Sequence, residues 1–158
     1  MKACLLSLMA LCSCDAIAGH VVALSTGDGV AQVVHTASKI APPSEDRQLR
    51  RFLDAIRRVE TGATGIGAVG DGGRALGPYQ IHKAYWQDSG VPGRYEDCLR
   101  DTAYSERVVL AYMKRYAPKA LAAGDWETLA RIHNGGPKGH TKKATLGYWA
   151  KVQKEMGK

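Results

Sequence analysis

Residues 60–71 read Glu60-Thr61-Gly62-Ala63-Thr64-Gly65-Ile66-Gly67-Ala68-Val69-Gly70-Asp71, and within this run a helical pattern changes to a glycine-rich turn region. Before it, the capping sequence at residues 44–46 is followed by apolar residues at helical spacing, which predicts a helix from about Glu45 to Glu60. Those apolar residues are Leu49, Phe52, Leu53, Ile56 and Val59. After it, seven glycines from Gly62 to Gly77 predict a small irregular hairpin with Asp71 at its turn.

The run places two carboxyl groups eleven positions apart. Glu60 follows the last apolar position of the helix, so we expect its carboxyl at the edge of the core. Partial burial and the negative end of the helix dipole both penalise the ionised form, which predicts a raised pKa for Glu60. Hydrolysis of a glycosidic bond needs one such protonated carboxyl and a second, ionised one, a role open to Asp71. The alternatives are a solvated helix-end glutamate and an aspartate that only forms a turn.

Further along the chain, four segments carry helical patterns. They are His82 to Gln87, Asp101 to Tyr116 with a stop at Pro118, a helix capped by Asp125 that breaks at His133–Pro137, and Thr145 to about Glu155. Together with the hairpin they predict an α+β domain, mostly helical, without internal repeats.

The N-terminus has the pattern of a leader. Residues 1–18 combine Lys2, a short apolar run and a small-residue site, which predicts a secretory signal peptide cleaved near Gly19. A lipoprotein signal that acylates a cysteine in this segment is the alternative. Residues 19–43 lack an apolar period and predict a flexible tail, so that residues 44–158 form the folded domain. We expect a secreted or periplasmic protein without stable membrane insertion.

Charge and cysteine content narrow the function classes. With 22 Lys and Arg against 15 Asp and Glu, the net charge is +7, which favours polyanionic partners such as cell-wall polymers. A solvated basic surface is the alternative. Only Cys98 lies outside the leader, so the mature chain has no internal disulfide and depends on a packed core. We predict that Cys98 is a half-buried structural thiol.

No cofactor and no metal are expected, because the histidines show no pair at ligand spacing. The glycine-rich run lacks the Gly-Lys-Ser/Thr ending of a phosphate loop. Basic pairs at residues 114–115 and 142–143 are too sparse to predict nucleic-acid binding. Aromatic residues at positions 85, 86, 112, 148 and 149 fit either a core or a cleft in which they stack on sugar rings.

Through about residues 50–153, the chain closely resembles the invertebrate-type (destabilase-like) lysozymes. The matching blocks are Val59-Glu60-Thr61-Gly62, Asp71, Gly77-Pro78-Tyr79-Gln80-Ile81, Ala84-Tyr85-Trp86-Gln87-Asp88, Pro92-Gly93, Ala111-Tyr112-Met113-Lys114-Arg115-Tyr116, Arg131-Ile132-His133-Asn134-Gly135-Gly136-Pro137 and Thr145-Leu146-Gly147-Tyr148-Trp149.

The resemblance implies a lysozyme-like fold and hydrolysis of the β-1,4 bond between N-acetylmuramic acid and N-acetylglucosamine in peptidoglycan. It makes Glu60 the proton donor and Asp71 the nucleophile or stabiliser of positive charge. The implied sugar-binding positions are His82, Lys83, Ala84, Tyr85, Trp86, Gln87, Asp88, Tyr112, His133, Asn134 and Gly135. Chitin oligomers are an alternative substrate. A silent glycan-binding protein and a cationic membrane-active antimicrobial are alternative functions.

Two departures from the family pattern qualify this expectation. Animal members carry many disulfides, whereas this mature chain keeps only Cys98. Some members have an isopeptidase activity that uses a serine after the Pro-Gly pair, where this chain has Arg94 and Tyr95, so that activity is not expected. Retention and inversion both stay open, as do monomer and dimer.

Overall fold

The structure, a computed structural model, describes residues 44–62 and 65–158. The predicted signal peptide (1–18) and tail (19–43) lie outside the described residues. Seven helices are present in the described part: α1 Ser44–Thr61, α2 Lys83–Ser89, α3 Asp97–Arg100, α4 Thr102–Tyr116, α5 Pro118–Ala123, α6 Trp126–Gly135 and α7 Leu146–Met156. Three short strands, β1 Val69–Gly70, β2 Ala75–Leu76 and β3 Ile81–His82, form an antiparallel sheet in the order β1-β2-β3. The predicted α+β class is confirmed.

The predicted hairpin is present as the pair β1 and β2, and a short 3-10 turn at Asp71–Gly73 joins the two strands. The sequence did not predict the third strand. Ala75 pairs with Gly70 on one side and with His82 on the other, so His82 lies near the turn that carries Asp71. His82 therefore ends a strand, and the helix predicted to start there begins one residue later, at Lys83.

Three helix predictions need correction. Pro118 does not only end α4; it also starts α5, because proline suits the first turn of a helix, where no backbone N–H is needed. Helix α3, which buries Cys98, was not predicted. Helix α6 does not break at His133 but continues to Gly135, since the backbone leaves helical geometry only at Gly136, with φ +80° before Pro137.

The core forms around α1, which packs against α7 and fully buries Phe52, Leu53 and Ile56, whereas Leu49 and Val59 at the ends of its apolar stripe are partly buried. The largest members of the core include Phe52, Leu53, Ile56, Tyr79, Ile81, Val108, Val109, Met113, Leu129 and Ile132. Cys98 belongs to this core and has no exposed surface, so the prediction of half-burial was wrong. Burial raises the pKa of its thiol to about 12, which keeps the group protonated and unreactive.

Gly77 links the sheet to α3. Its φ is +71°, and a Cβ atom there would overlap the backbone oxygen of Cys98. Only glycine fits this position, because any side chain would force the sheet away from α3. The sheet, and with it the turn of Asp71, is thereby fixed against the helical core.

The cap of α4 offers a test of the fold. Asp101 precedes the helix, and its Oδ1 accepts a hydrogen bond of 2.9 Å from the backbone N–H of Tyr104. We expect Asp101→Ala to lower the free energy of unfolding by about 1 kcal/mol, as measured by urea denaturation. Asp101→Asn, which keeps an acceptor oxygen, is the control and should retain wild-type stability. Equal stability of Asp101→Ala and wild type would show that the cap contributes nothing.

Candidate active site

Glu60 lies in the last turn of α1 with its side chain 19% exposed, at the edge of the core as predicted. The hydroxyl of Tyr148, from α7, donates a hydrogen bond of 2.7 Å to Glu60 Oε1. His133, from α6, places Nε2 3.6 Å from the same oxygen, which is ion-pair distance rather than a direct hydrogen bond. Two other helices thus bring polar groups to one oxygen of this carboxyl.

His133 is itself held in place. Its side chain is only 4% exposed, and its Nδ1 lies 3.1 Å from the hydroxyl oxygen of Tyr85 in α2. The ring of Tyr85 stacks on Tyr112 of α4, with centroids 3.6 Å apart and an interplanar angle of 13°. Residues of α1, α2, α4, α6 and α7 therefore meet in one packed cluster around Glu60.

The pKa of Glu60 is lower than its ordinary value, so the predicted rise was wrong. Burial is the largest single influence and does raise the pKa, as expected from the helix-end position. The contact with His133, the hydrogen bond from Tyr148 and the charge of His82 together outweigh burial and favour the ionised form. The opposing groups come from α6, α7 and β3, and the residues next to Glu60 in α1 give no sign of them.

Asp71 begins the turn between β1 and β2, and its φ of +47° is tolerated best by Gly, Asn and Asp. Its side chain is 46% exposed and pairs on both oxygens. Arg74 Nη2 donates to Oδ1 at 2.8 Å, and His82 Nε2 lies 3.5 Å from Oδ2. Asp71 is therefore a turn residue, as the alternative interpretation held, and also the centre of a charged group.

His82 connects the two carboxyl groups, since it contacts Asp71 and is close enough to Glu60 to lower the pKa of that residue. The end of α1 is tied to the sheet as well: the Thr61 hydroxyl donates to the backbone oxygen of Pro78 at 3.2 Å. The helix end that carries Glu60 is thus bonded to the turn between β2 and β3, and β2 also forms one arm of the hairpin whose turn carries Asp71.

Local packing fixes the Asp71 turn. The Gln80 side chain lies over Gly70, where a Cβ atom would overlap Gln80 Oε1, and Gln80 Nε2 donates to the backbone oxygen of Gly77 at 2.9 Å. The Tyr95 hydroxyl oxygen lies 2.8 Å from the backbone oxygens of both Arg74 and Ile81, and its single hydrogen is shared between these two acceptors. Tyr95, which follows the Pro-Gly pair, therefore braces the sheet beside Asp71.

The structure brings some of the predicted sugar-binding residues together and leaves others apart. Tyr85, Tyr112 and His133 join the Glu60 cluster, although Tyr112 is only 3% exposed and lies beneath Tyr85. His82 joins Asp71. The exposed members are His82, Lys83, Ala84, Gln87 and Asn134. Sugar contact by each of these residues stays a prediction.

The remaining predicted residues have other neighbours. Trp86 donates from Nε1 to the Tyr104 hydroxyl at 2.7 Å and packs near Tyr95. The backbone oxygen of Asp88 accepts from Arg115 at 2.9 Å. Gly135 lies against Thr145, where an added Cβ would come within 2.6 Å of Cγ2. These contacts attach Trp86 and Asp88 to α4 and its surroundings rather than to Glu60.

Sequence reasoning missed two residues of the site. Tyr148 was noted only as an aromatic residue, and no local signal links it to Glu60, 88 positions away. Arg74 has a signal that could have been used, because it follows Asp71 at a spacing of three residues in a tight turn.

In residues 44–62 and 65–158, no group of three or more His, Cys, Asp or Glu side chains is arranged to hold a metal ion. None of the helices in these ranges is long and apolar enough to cross a bilayer.

The helical α+β domain with a small antiparallel sheet has the fold of solved lysozymes, and the lysozyme homologues together with the Destabilase match identify the chain as a glycoside hydrolase. The profile of the Destabilase family matches residues 51–155, and the chain belongs to this family, to which the invertebrate-type lysozymes are related.

Individual relatives agree with this assignment. The chain is 40% identical to a lysozyme of Meretrix lusoria over 110 residues, which cover 68% of this chain and 90% of that protein. It is 42% identical over 106 residues to Lysozyme 1 of Crassostrea virginica, covering 66% of this chain but only 58% of that longer protein. The fold is similar to the crystal structure of Tapes japonica lysozyme, with a TM-score of 0.58 at 38% identity, covering 66% of this chain and 88% of that one.

Proposed function

We propose that this protein is a muramidase that hydrolyses the β-1,4 bond between N-acetylmuramic acid and N-acetylglucosamine in peptidoglycan. The observation that carries the proposal is the half-buried Glu60 carboxyl, which Tyr148 and His133 face from two other helices, together with the more exposed Asp71 carboxyl on the sheet. Glu60 donates the proton to the leaving oxygen, and Asp71 attacks or stabilises the positively charged sugar carbon. Replacement of Glu60 by glutamine, argued in the Discussion, is the decisive test.

The pH dependence of the reaction follows from the sign of the Glu60 shift. A general acid must be protonated before it acts, and the pKa of Glu60 lies below its ordinary value. Each rise in pH through that pKa reduces the protonated fraction, so we expect kcat/KM to be highest under acid conditions and to fall toward neutral pH. Initial rates of wall solubilisation, measured across the acid to neutral range, check this. A profile that stays flat through neutrality would contradict the assigned role of Glu60.

The proposal extends to location and substrate. We infer that the protein is exported through the signal peptide at residues 1–18 and that its net charge of +7 assists its approach to anionic cell wall. Mass measurement of the mature chain distinguishes a free protein from a lipidated one. Reducing ends released from purified peptidoglycan and from chitin oligomers, compared at equal enzyme concentration, distinguish a muramidase from a chitinase.

A further inference from the structure

We propose that Tyr148 and His133 are positioning residues that give the two oxygens of Glu60 different tasks: Oε1 is anchored to the protein, and Oε2 carries and delivers the proton. This inference rests on the proposed function, since it concerns how the acid of that reaction is held. It assigns a role to two residues that do not themselves need to touch the sugar.

The contacts of the Glu60 carboxyl are asymmetric. The Tyr148 hydroxyl at 2.7 Å and His133 Nε2 at 3.6 Å both face Oε1. Within the described part of the chain, no donor lies at hydrogen-bond distance from Oε2. A proton on Oε1 would point at the hydrogens of the Tyr148 hydroxyl and of His133 Nε2, and the hydrogens would repel each other. A proton on Oε2 has no such neighbour. The protonated form of Glu60 therefore carries its hydrogen on Oε2.

Both groups that face Oε1 are fixed in orientation. Burial raises the pKa of Tyr148 and of Tyr85 well above the usual value, so both remain O–H groups throughout the working pH range. When His133 is neutral, the Tyr85 hydroxyl donates to its Nδ1 at 3.1 Å, and its hydrogen is therefore on Nε2, which faces Glu60. The stack of Tyr85 on Tyr112 keeps this hydroxyl in place.

The chain of contacts runs from Tyr85 through His133 to Glu60 Oε1, and Tyr148 meets that oxygen from the other side. The titratable groups near Glu60 from neighbouring elements are His133 of α6, Tyr148 of α7, His82 of β3 and Tyr85 of α2, whose pKa the charge of Glu60 helps to raise. Because the first two anchor one oxygen, the carboxyl group cannot rotate freely, and Oε2 keeps one direction. Such fixed geometry is what proton transfer to a leaving oxygen requires.

Tyr148→Phe tests the inference, because it removes one hydroxyl and keeps the ring. Loss of a hydrogen bond to a charged group, worth about 1.5 to 3 kcal/mol, is expected to lower kcat at the acid plateau by about tenfold to a hundredfold, with KM unchanged. The alkaline limb of the kcat/KM profile should move to higher pH, since a contact that favours the ionised form is gone. A merely structural tyrosine would not move this limb. An unshifted limb would overturn the inference.

Tyr79→Phe is the matched control. The Tyr79 hydroxyl also donates to a half-buried glutamate, Glu106, at 2.9 Å, and Tyr79 makes no contact with Glu60. The variant loses the same kind of bond at a different carboxyl, so its pH profile should match wild type. If the alkaline limb moves by the same amount in both variants, the shift results from general loosening of the fold, and the role of Tyr148 is contradicted.

A readout without catalysis separates this inference from the proposed function. Carboxyl carbon NMR of glutamate-labelled protein follows the titration of Glu60 directly, and its midpoint should rise in Tyr148→Phe and stay in Tyr79→Phe. If the wild-type protein does not hydrolyse peptidoglycan but Tyr148→Phe still raises the Glu60 midpoint, the proposed muramidase function is rejected and the anchoring of Glu60 is supported. If the wild-type protein is active but Tyr148→Phe leaves the midpoint unchanged, the muramidase function is supported and the anchoring is rejected. If Tyr148→Phe does not fold, His133→Phe, which keeps a flat ring and removes the nitrogen that faces Oε1, should raise the midpoint in the same way, and an unchanged midpoint would reject the anchoring.

Discussion

Glu60→Gln is expected to lower kcat on purified peptidoglycan by about a hundredfold to ten-thousandfold, the range that a general acid contributes. The glutamine side chain has the same shape, and its oxygen can still accept the hydrogen bond of 2.7 Å from Tyr148. The fold should therefore survive, with a melting temperature close to that of wild type. What the variant lacks is the transferable proton, so the rate falls while binding of the glycan remains. Turbidity loss and reducing-end release measure the effect.

Glu106→Gln is the matched control for this substitution. The Glu106 side chain is 16% exposed, against 19% for Glu60, and it too accepts a hydrogen bond from a tyrosine hydroxyl, that of Tyr79. Its conversion should leave kcat near wild type, even if stability falls. Full lytic activity of Glu60→Gln would remove the proposed general acid. Bacterial killing that persists without wall hydrolysis would favour the cationic membrane-active alternative, and glycan binding by a wild type without turnover would favour the silent binding protein.

The helix that carries Glu60 and the turn that carries Asp71 could both be predicted, because each depends on neighbouring residues. The apolar spacing from Leu49 to Val59 sets the face that α1 buries, and Gly70 with Gly72 sets the turn. Strand β3 could not be predicted in the same way. It has only two residues and forms because Ala75 and Leu76 offer a free edge to residues that follow Gly77.

The electrostatics of the site depended on contacts that local sequence does not contain. Glu60 sits where the helix pattern placed it, yet its pKa moves in the opposite direction from the prediction. The reason is that Tyr148 and His133 come from α7 and α6, 88 and 73 positions away, and only the packing of those helices on α1 aligns them. The family resemblance supplied the carboxyl pair and several neighbours, but not which atoms hold them.

Asp71→Asn is expected to lower kcat by about a hundredfold or more, the size of effect seen when one group that stabilises transition-state charge is removed. Asparagine tolerates the φ of +47° at this position and keeps an oxygen that can accept from Arg74 Nη2, so the turn should persist. The loss then reflects the negative charge itself. Without it, the Arg74 guanidinium has no carboxylate to balance its charge, which opposes a positively charged transition state beside it.

Asp54→Asn is the control for Asp71→Asn, because Asp54 also pairs with an arginine three residues later, Arg57, at 3.3 Å. It should leave kcat unchanged. A loss of less than tenfold in Asp71→Asn would reject its role in the reaction. The products would then identify the mechanism that remains: anhydro-sugar ends indicate a lytic transglycosylase that uses Glu60 alone, whereas ordinary reducing ends indicate direct attack by water. If the loss is large, the anomeric configuration of the first product decides between retention, expected for carboxyl groups about 5 to 5.5 Å apart, and inversion at about 6.5 to 9.5 Å.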